Sequence, residues 1–227
     1  MNTAIIAAAG CGTRFNSQTP KQFIELLGMP VIMHAIIAFE RSALVSEIIL
    51  VTNSDGMDSL NAIVSNAGCG KVSKVVSGGR HRIESVRNGF DAADPAAKIV
   101  LVHDGVRPLV SEKEIADVIE AATKAGAACL AAPVTETIKE VSEGRIVRTI
   151  DRNYLRRALT PQAFKYEILK EALASADLDE TVTDECFLVE KLGREVAVVE
   201  GDHRNIKITH PEDLILAEAF LTAAMFA

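Results

Sequence analysis

Residues 4–23 read AIIAAAGCGTRFNSQTPKQF, and the fold follows from how this stretch is parsed. Ile5, Ile6 and the alanines after them form a short apolar run that reads as a buried strand. The run breaks at Gly10-Cys11-Gly12 into a loop carrying Arg14 and Lys21, and no acidic residue precedes Glu25. A strand that empties into a small-residue turn exposes backbone N–H groups. Two cations beside them, without a local counter-charge, make a seat for a polyanion such as a nucleoside triphosphate. Two better-known phosphate loops are excluded or weakened. A Walker loop needs Gly-Lys-Ser/Thr, whereas Gly12 is followed by Thr13-Arg14. The dinucleotide fingerprint needs a third glycine where this chain has Phe15, and a helix directly after it, where Gln18-Thr19-Pro20 intervenes. On spacing alone, a plain glycine turn solvated by two cations remains the competing reading.

Outward from this loop, helical and strand periods alternate. Residues 30–43 place Val31, Ile32, Ala35, Ile36 and Phe39 at helical spacing, with Gly28 and Pro30 setting the start. Residues 47–52, EIILVT, are a near-continuous apolar run of the kind found in a strand covered on both faces. Residues 55–66 predict a helix closed by Gly68, and residues 74–77 a third strand. Gly78-Gly79 then leads into a helix beginning at Arg80, with Ile83, Val86 and Phe90 as its stripe. Residues 98–104, KIVLVHD, are the most strand-like run of all. A capping box of Ser111 and Glu114 starts a helix that runs to Gly126, and residues 127–134 make another buried strand. Such alternation predicts an α/β protein with a doubly wound, mostly parallel, Rossmann-like sheet.

Beyond residue 134 the pattern changes. Residues 135–150, TETIKEVSEGRIVRTI, read as two strands joined by a turn at 142–145. An isolated two-stranded ribbon is marginal in water, so this arm is expected to dock on a second subunit. Residues 160–164, TPQAF, are expected to open a helix, with Thr160 as its cap and Pro161 in the first turn. A further helix is expected from a cap at 183–185 to Gly193, with strands over 195–199 and 205–209. A second capping box at Thr209 and Glu212 should start a last helix whose core stripe is Leu214, Leu216, Ala217, Phe220 and Leu221.

At 227 residues the chain fits one large domain, 1–227 with 135–150 as its arm, and about 70 per cent of the chain's surface can be buried at that size. The apolar runs fall short of a membrane span and no basic flank precedes a cleavable apolar stretch, so a cytoplasmic protein is expected. Cys11, Cys69, Cys129 and Cys186 lack paired spacing and read as reduced thiols. A net charge of −7 argues against nucleic-acid binding, which needs a basic surface, so any anion site must be local. The histidines show no metal spacing; His34 reads as a helix-face residue and His103 as a structural residue at a strand end.

Three further positions carry chemistry on the residues alone. Gly79 follows a strand, where a ligand can approach the backbone. Asp104 ends the strand at 98–104, where a carboxylate facing a triphosphate can hold Mg²⁺, the competing reading being a simple turn cap. Lys207 alternates with Ile206 and Ile208 and so points to the other side of the pleat, ordinarily toward water.

AAAGCGTRF followed by PKQF is similar to the signature of sugar-phosphate and polyol-phosphate nucleotidylyltransferases. HDGVRP, DRNYL, LTPQAF and NIKIT extend the likeness, and over residues 5–220 the chain resembles the 2-C-methyl-D-erythritol 4-phosphate cytidylyltransferase family of the non-mevalonate isoprenoid pathway. HDGVRP carries Gly-Val where the family has Ala-Ala, which leaves Asp104 and Arg107 in register. The resemblance implies that Ala8, Ala9, Gly10 and Gly12 cradle CTP and that Gly79 and Ser85 read the base. It implies that Arg107, Thr137, Arg152, Thr160 and Lys207 contact the methylerythritol phosphate across a homodimer interface. The implied reaction is attack by the acceptor's phosphate oxygen on the α-phosphorus of CTP with loss of pyrophosphate. A phosphate monoester is already dianionic at neutral pH, so the protein's task is positioning and charge neutralisation. Arg14 and Lys21 would stabilise the transferring phosphate, Mg²⁺ on Asp104 would bridge phosphates, and Arg152 and Lys207 would hold the attacking phosphate. A ribitol-5-phosphate enzyme is the nearest alternative, against which the Asp151-Arg152-Asn-x-Leu context speaks. A non-catalytic nucleotide sensor is a more distant one.

Overall fold

Two kinds of residue pattern build the sheet and its covering layers. The computed structural model describes residues 1–10, 15, 19–175 and 182–225. In chain order, β1 (Asn2–Ala7) is followed by the small ribbon β2 (Glu25–Leu26) and β3 (Met29–Pro30), then α1 (Val31–Arg41), β4 (Glu47–Thr52), α2 (Met57–Ala67) and β5 (Val72–Ser77). Next come α3 (Arg82–Ala92), β6 (Ile99–Asp104), α4 (Glu112–Ala125), β7 (Ala127–Pro133), and the arm β8 (Ile138–Ser142) and β9 (Arg145–Ile150). The chain ends with β10 (Arg156–Lys165), α5 (Tyr166–Ser175), α6 (Glu185–Lys191), β11 (Ala197–Glu200) and α7 (Pro211–Met225).

The main sheet has the order β11-β7-β10-β6-β1-β4-β5. β1 pairs parallel with β4 and β6, β4 with β5, and β7 with β11, while β10 runs antiparallel between β6 and β7. Period two along each strand sorts the core into two layers. Ala4, Ile6, Ile48, Leu50, Ile99 and Leu101 face α1, α2 and α4. Ile5, Val51, Val100 and Val102 face α3, α5 and α6. β6 is buried along its full length, so the residue at its carboxyl end, Asp104, is delivered to a protected position. Full burial of each Ile or Leu stabilises by roughly 1.5–3 kcal/mol, which is why these strands read as continuous apolar runs.

Five expectations are corrected by the structure. Residues 160–164 do not open a helix: they lie in β10, with Gln162, Ala163 and Phe164 paired to Val102, Leu101 and Val100 on one side and Cys129, Ala128 and Ala127 on the other. Pro161 sits where the ladder with β7 is interrupted, between Ala158 and Gln162, so its missing N–H costs no bond there. The helix starts only at Tyr166. Residues 205–209 are extended but join no sheet; the segment is tied to the 105–108 turn by the Ile208 N–H donating to the Val106 carbonyl at 2.9 Å. α3 starts at Arg82, two residues later than expected, because the Glu84 carboxylate accepts from the Arg80 and His81 N–H groups and fixes them as its cap. On α7, Leu216 is exposed with Ile215, while Ala217 is buried against Phe15 and Ile208 and Leu214 and Leu221 pack at its edge. Its cap is closed by Asp213, which accepts from the Thr209 and His210 N–H groups, in place of Glu212.

The arm has the expected form, with Glu143 and Gly144 at positive φ (50° and 75°) making the tight turn of a two-residue hairpin.

Candidate active site

The carboxyl ends of β1 and β6 lie side by side, with Ala7 paired to Asp104. Beyond them opens a cleft of about 310 Å³, within the range of small-molecule sites. Its walls are the β1 end with Ala8, Ala9 and Gly10, the 78–82 turn with Ser85 behind it, and Lys21, Asp104 and Lys207. Gly78 is obligatory in this turn, because a Cβ there would lie 2.4 Å from the Ala9 Cβ and 2.7 Å from the Ser85 Oγ. The glycine therefore lets two loops meet. Ser85 is buried and its hydroxyl accepts from the Gly79 N–H (3.1 Å) and donates to the His81 carbonyl (3.2 Å), which fixes the turn.

Asp104 is the electrostatic centre. Its Oδ1 accepts from Arg82 Nε at 3.1 Å, and its Oδ2 accepts from Arg107 Nε at 3.2 Å and from Lys207 Nζ at 3.0 Å. Burial alone would raise this carboxyl, but Arg82, Lys207 and Arg107 hold it well below the usual carboxylate range. Lys21 Nζ donates to the carbonyl of Ile208 at 3.0 Å, which draws the first loop onto the segment carrying Lys207. Gln22 closes the same joint from beneath, donating to the Ala8 carbonyl at 2.8 Å.

Under the cleft floor the polar groups are paired, except the buried Asn205 Oδ1, which has no hydrogen-bond partner among the described residues. His103 is buried; its Nε2 faces the Arg107 carbonyl at 3.1 Å and its Nδ1 the Thr160 hydroxyl at 3.0 Å. A carbonyl can only accept, so Nε2 carries the proton, and Nδ1 accepts from Thr160, whose Oγ1 in turn accepts from the Asp104 N–H at 3.1 Å. Burial lowers the His103 pKa to about 4, so the ring is neutral near pH 7. Arg107 also donates to the Asn205 carbonyl at 2.9 Å, and burial lowers its pKa.

The expected site residues thus divide into three groups. Lys21, Asp104, Lys207, Ser85, Gly79, Ala8, Ala9 and Gly10 converge on the cleft. Arg107 and Thr160 do not line it; they are buried below it, where they hold Asp104 and His103. Thr137 and Arg152 are exposed on and beside the arm, away from the cleft, and Arg152 is bonded to the Thr135 carbonyl. Gly12 and Arg14 lie outside the described residues. Sequence reasoning missed Arg82, on the cleft wall, and the buried Glu185 it grips in a bidentate pair with Nη1–Oε1 2.6 Å and Nη2–Oε2 3.1 Å. No spacing rule joins residues so distant in the chain; the only local signal was a carboxylate directly after the Asp184 cap.

The donor set around Asp104 does not fit a resident Mg²⁺. Both carboxylate oxygens are taken by cations, and among the described residues no group of three or more His, Cys, Asp or Glu side chains is placed to hold a metal. Arg82, Arg107, Lys207 and Lys21 against Asp104 and Glu185 leave the region cationic, a setting for phosphate.

A cationic cleft at the ends of parallel strands is what group transfer between phosphates requires, and on this doubly wound sheet it defines a nucleotidyltransferase. The family model described as 2-C-methyl-D-erythritol 4-phosphate cytidylyltransferase matches residues 2–223. A protein of that name from Syntrophus aciditrophicus is 46% identical over 221 residues, covering 96% of this chain and 94% of its own. The crystal structure of 4-diphosphocytidyl-2C-methyl-D-erythritol synthase from Anaerococcus prevotii is 33% identical, with a TM-score of 0.85 over 97% of this chain and 96% of that one. That of 2-C-methyl-D-erythritol 4-phosphate cytidylyltransferase from Thermus thermophilus is 34% identical, with a TM-score of 0.79 over 96% and 98%. The chain belongs to the 2-C-methyl-D-erythritol 4-phosphate cytidylyltransferase family. It is an enzyme with CTP as co-substrate, and the ribitol phosphate and sensor readings are set aside.

Proposed function

We propose that the cleft joins CTP and 2-C-methyl-D-erythritol 4-phosphate, releasing pyrophosphate, with Lys21 acting on the nucleotide and Lys207 on the acceptor's phosphate. The observation that carries this division is the tie between Lys21 and the Ile208 carbonyl: two lysines from opposite walls are held one residue apart, one beside the nucleotide loop and one on Asp104. An attacking phosphate seated by Lys207 then meets the α-phosphate seated by Lys21, and their mutual repulsion is offset at the point of contact. Arg14 shares the task of Lys21 on the same loop. Any divalent ion enters as part of the nucleotide substrate, since Asp104 is occupied by cations. Gly79, Ser85 and the β1 end shape the base and ribose side.

The arm belongs to the same reading. Val141, Ile146 and Val147 are more than half exposed on a two-stranded ribbon, which supports docking against a second copy. Within that homodimer Thr137 and Arg152 reach the partner's acceptor site. The single domain 1–227 works in the cytoplasm, where CTP is made and where free thiols such as Cys69, Cys129 and Cys186 persist.

Pyrophosphate release with CTP and Mg²⁺, comparing methylerythritol phosphate, ribitol phosphate and no acceptor, tests the activity. Lys21→Ala is expected to lower turnover by about 10²–10³ while the protein still folds. Near-normal turnover in that variant removes Lys21 from the mechanism.

A further inference from the structure

Glu185 is completely buried in the first turn of α6 and does not line the cleft, yet its whole carboxylate is spent on Arg82, 2.6 and 3.1 Å away. The helix does not need that charge for docking. Asp184 caps it by accepting from the Phe187 N–H at 2.9 Å, Gln162 donates to Asp184 at 2.9 Å and accepts from the Cys186 N–H at 3.2 Å, and Cys186, Leu188 and Val189 are in the core. A carboxylate buried this deeply is costly and is retained only with a compensating partner. Burial pushes the Glu185 carboxyl up, whereas Asp104, at the other end of the same guanidinium, is held far down.

Arg82 has two edges. The terminal fork, Nη1 and Nη2, is taken by Glu185, so that only Nε reaches Asp104, and only at Oδ1. Oδ2 is thereby left to Lys207 at 3.0 Å and Arg107 at 3.2 Å. A guanidinium whose fork is unoccupied prefers to grip a carboxylate with two parallel bonds, and Asp104 is the carboxylate within its reach.

We propose that Glu185 is a positioning residue for acceptor binding: by occupying the fork of Arg82 it keeps Arg82 from gripping Asp104 at both oxygens and so reserves Oδ2 as the mount for Lys207. This rests on the reading that Lys207 seats the acceptor's phosphate. In the Glu185→Gln variant the charge that holds the fork is gone, Arg82 turns onto Asp104, and Lys207 loses its anchor. The effect falls on the acceptor, since Lys21 and the β1 end are untouched.

The test is steady-state pyrophosphate release with each substrate varied in turn, with thermal melts on every variant. Glu185→Gln is expected to raise KM for methylerythritol phosphate about tenfold and to leave KM for CTP within about twofold. The double variant Arg82→Lys/Glu185→Gln keeps a cation at the cleft wall but has no fork to grip both oxygens of Asp104, and is expected to recover most of the lost acceptor KM. A role in stability alone predicts the opposite, equal loss for both substrates and a double variant no better than the single. Either of those results overturns the proposal. If Glu185→Gln does not fold, Glu185→Asp, which keeps the charge but draws it back from the fork, carries the test: a raised acceptor KM with CTP KM unchanged is expected, and an unchanged acceptor KM sinks the idea. Lys207→Ala run alongside separates the two layers of the argument: no change in its acceptor KM refutes the reading of Lys207, whereas a large change there with none in Glu185→Gln refutes only the role of Glu185.

Discussion

Truncating Lys207 to alanine removes the cation proposed to seat the acceptor, and the structure sets the size of the effect. Lys207 Nζ lies 3.0 Å from Asp104 Oδ2, on a side chain that is 37% exposed. A phosphate oxygen at the same distance from Nζ, on another of its N–H bonds, would interact with it by about 5 kcal/mol before solvent competition, at an effective dielectric of about 20. Because the ammonium keeps Asp104 as one of its three acceptors and is partly wetted, we take about 3 kcal/mol as the transition-state loss, or about 10² in kcat/KM for methylerythritol phosphate. Asp104 keeps Arg82 and Arg107, so no buried charge is orphaned. Stability should change by less than about 1 kcal/mol, a Tm shift of about 2–4 °C at most. The assay is pyrophosphate release with the acceptor varied at saturating CTP, together with calorimetric titration of CTP. CTP affinity is expected to stay within about threefold of the parent. A variant that loses CTP affinity while its acceptor KM is unchanged refutes the assignment.

Other expectations follow from other parts of the molecule. His103 has its pKa lowered by burial from 6.5 to about 4, so above pH 6.5 it costs nothing, and as pH falls toward 4 the unfolded chain takes a proton that the folded one refuses. Its share of stability, about 3 kcal/mol, is lost across that window, and urea melts of His103→Gln should show a flatter acid limb than the parent. Gly78→Ala drives a Cβ into Ala9 and Ser85; kcat/KM for CTP should fall by about tenfold or more with the melting curve still cooperative, and an unchanged CTP KM speaks against the close approach of these loops. Placing aspartate at both Ile146 and Val147 on the arm should convert the proposed homodimer into monomers in sedimentation runs and depress turnover through the roles proposed for Thr137 and Arg152; a fully active monomer would contradict the shared site.

Local pattern made most of the sheet legible. The runs at β1, β4 and β6 are continuously apolar at their centres because both faces are covered, and the Ser111 and Glu114 box is a purely local device. The misreadings fell where a distant partner decides. Thr160-Pro161 imitates a helix start, but residues 162–164 directly after it are laddered to β6 on one side and β7 on the other, and the Thr160 hydroxyl serves Asp104 and His103 in place of a helix end. Residues 205–209 alternate like a strand because Ile206 and Ile208 share one apolar cluster while Lys207 turns to Asp104, yet no strand lies beside them. Within the site, Lys21, Asp104 and Lys207 were visible as charges at element ends. Arg107 was visible too, but its burial was not, and the Arg82 and Glu185 pair exists only once α3 and α6 pack on the same face of the sheet.

The placement of β10 has a mechanical consequence. The arm leaves the sheet from β7 and re-enters it as β10, and Arg156 is laddered to Pro133 right at the junction. The ribbon is therefore tied to the sheet at two neighbouring strands, through the short segments 134–137 and 151–155, instead of dangling from one thread. β10 also borders β6, the strand that ends in Asp104. A peptide spliced in at Glu143 and Gly144, the far tip, would ride on that ribbon and disturb neither tie.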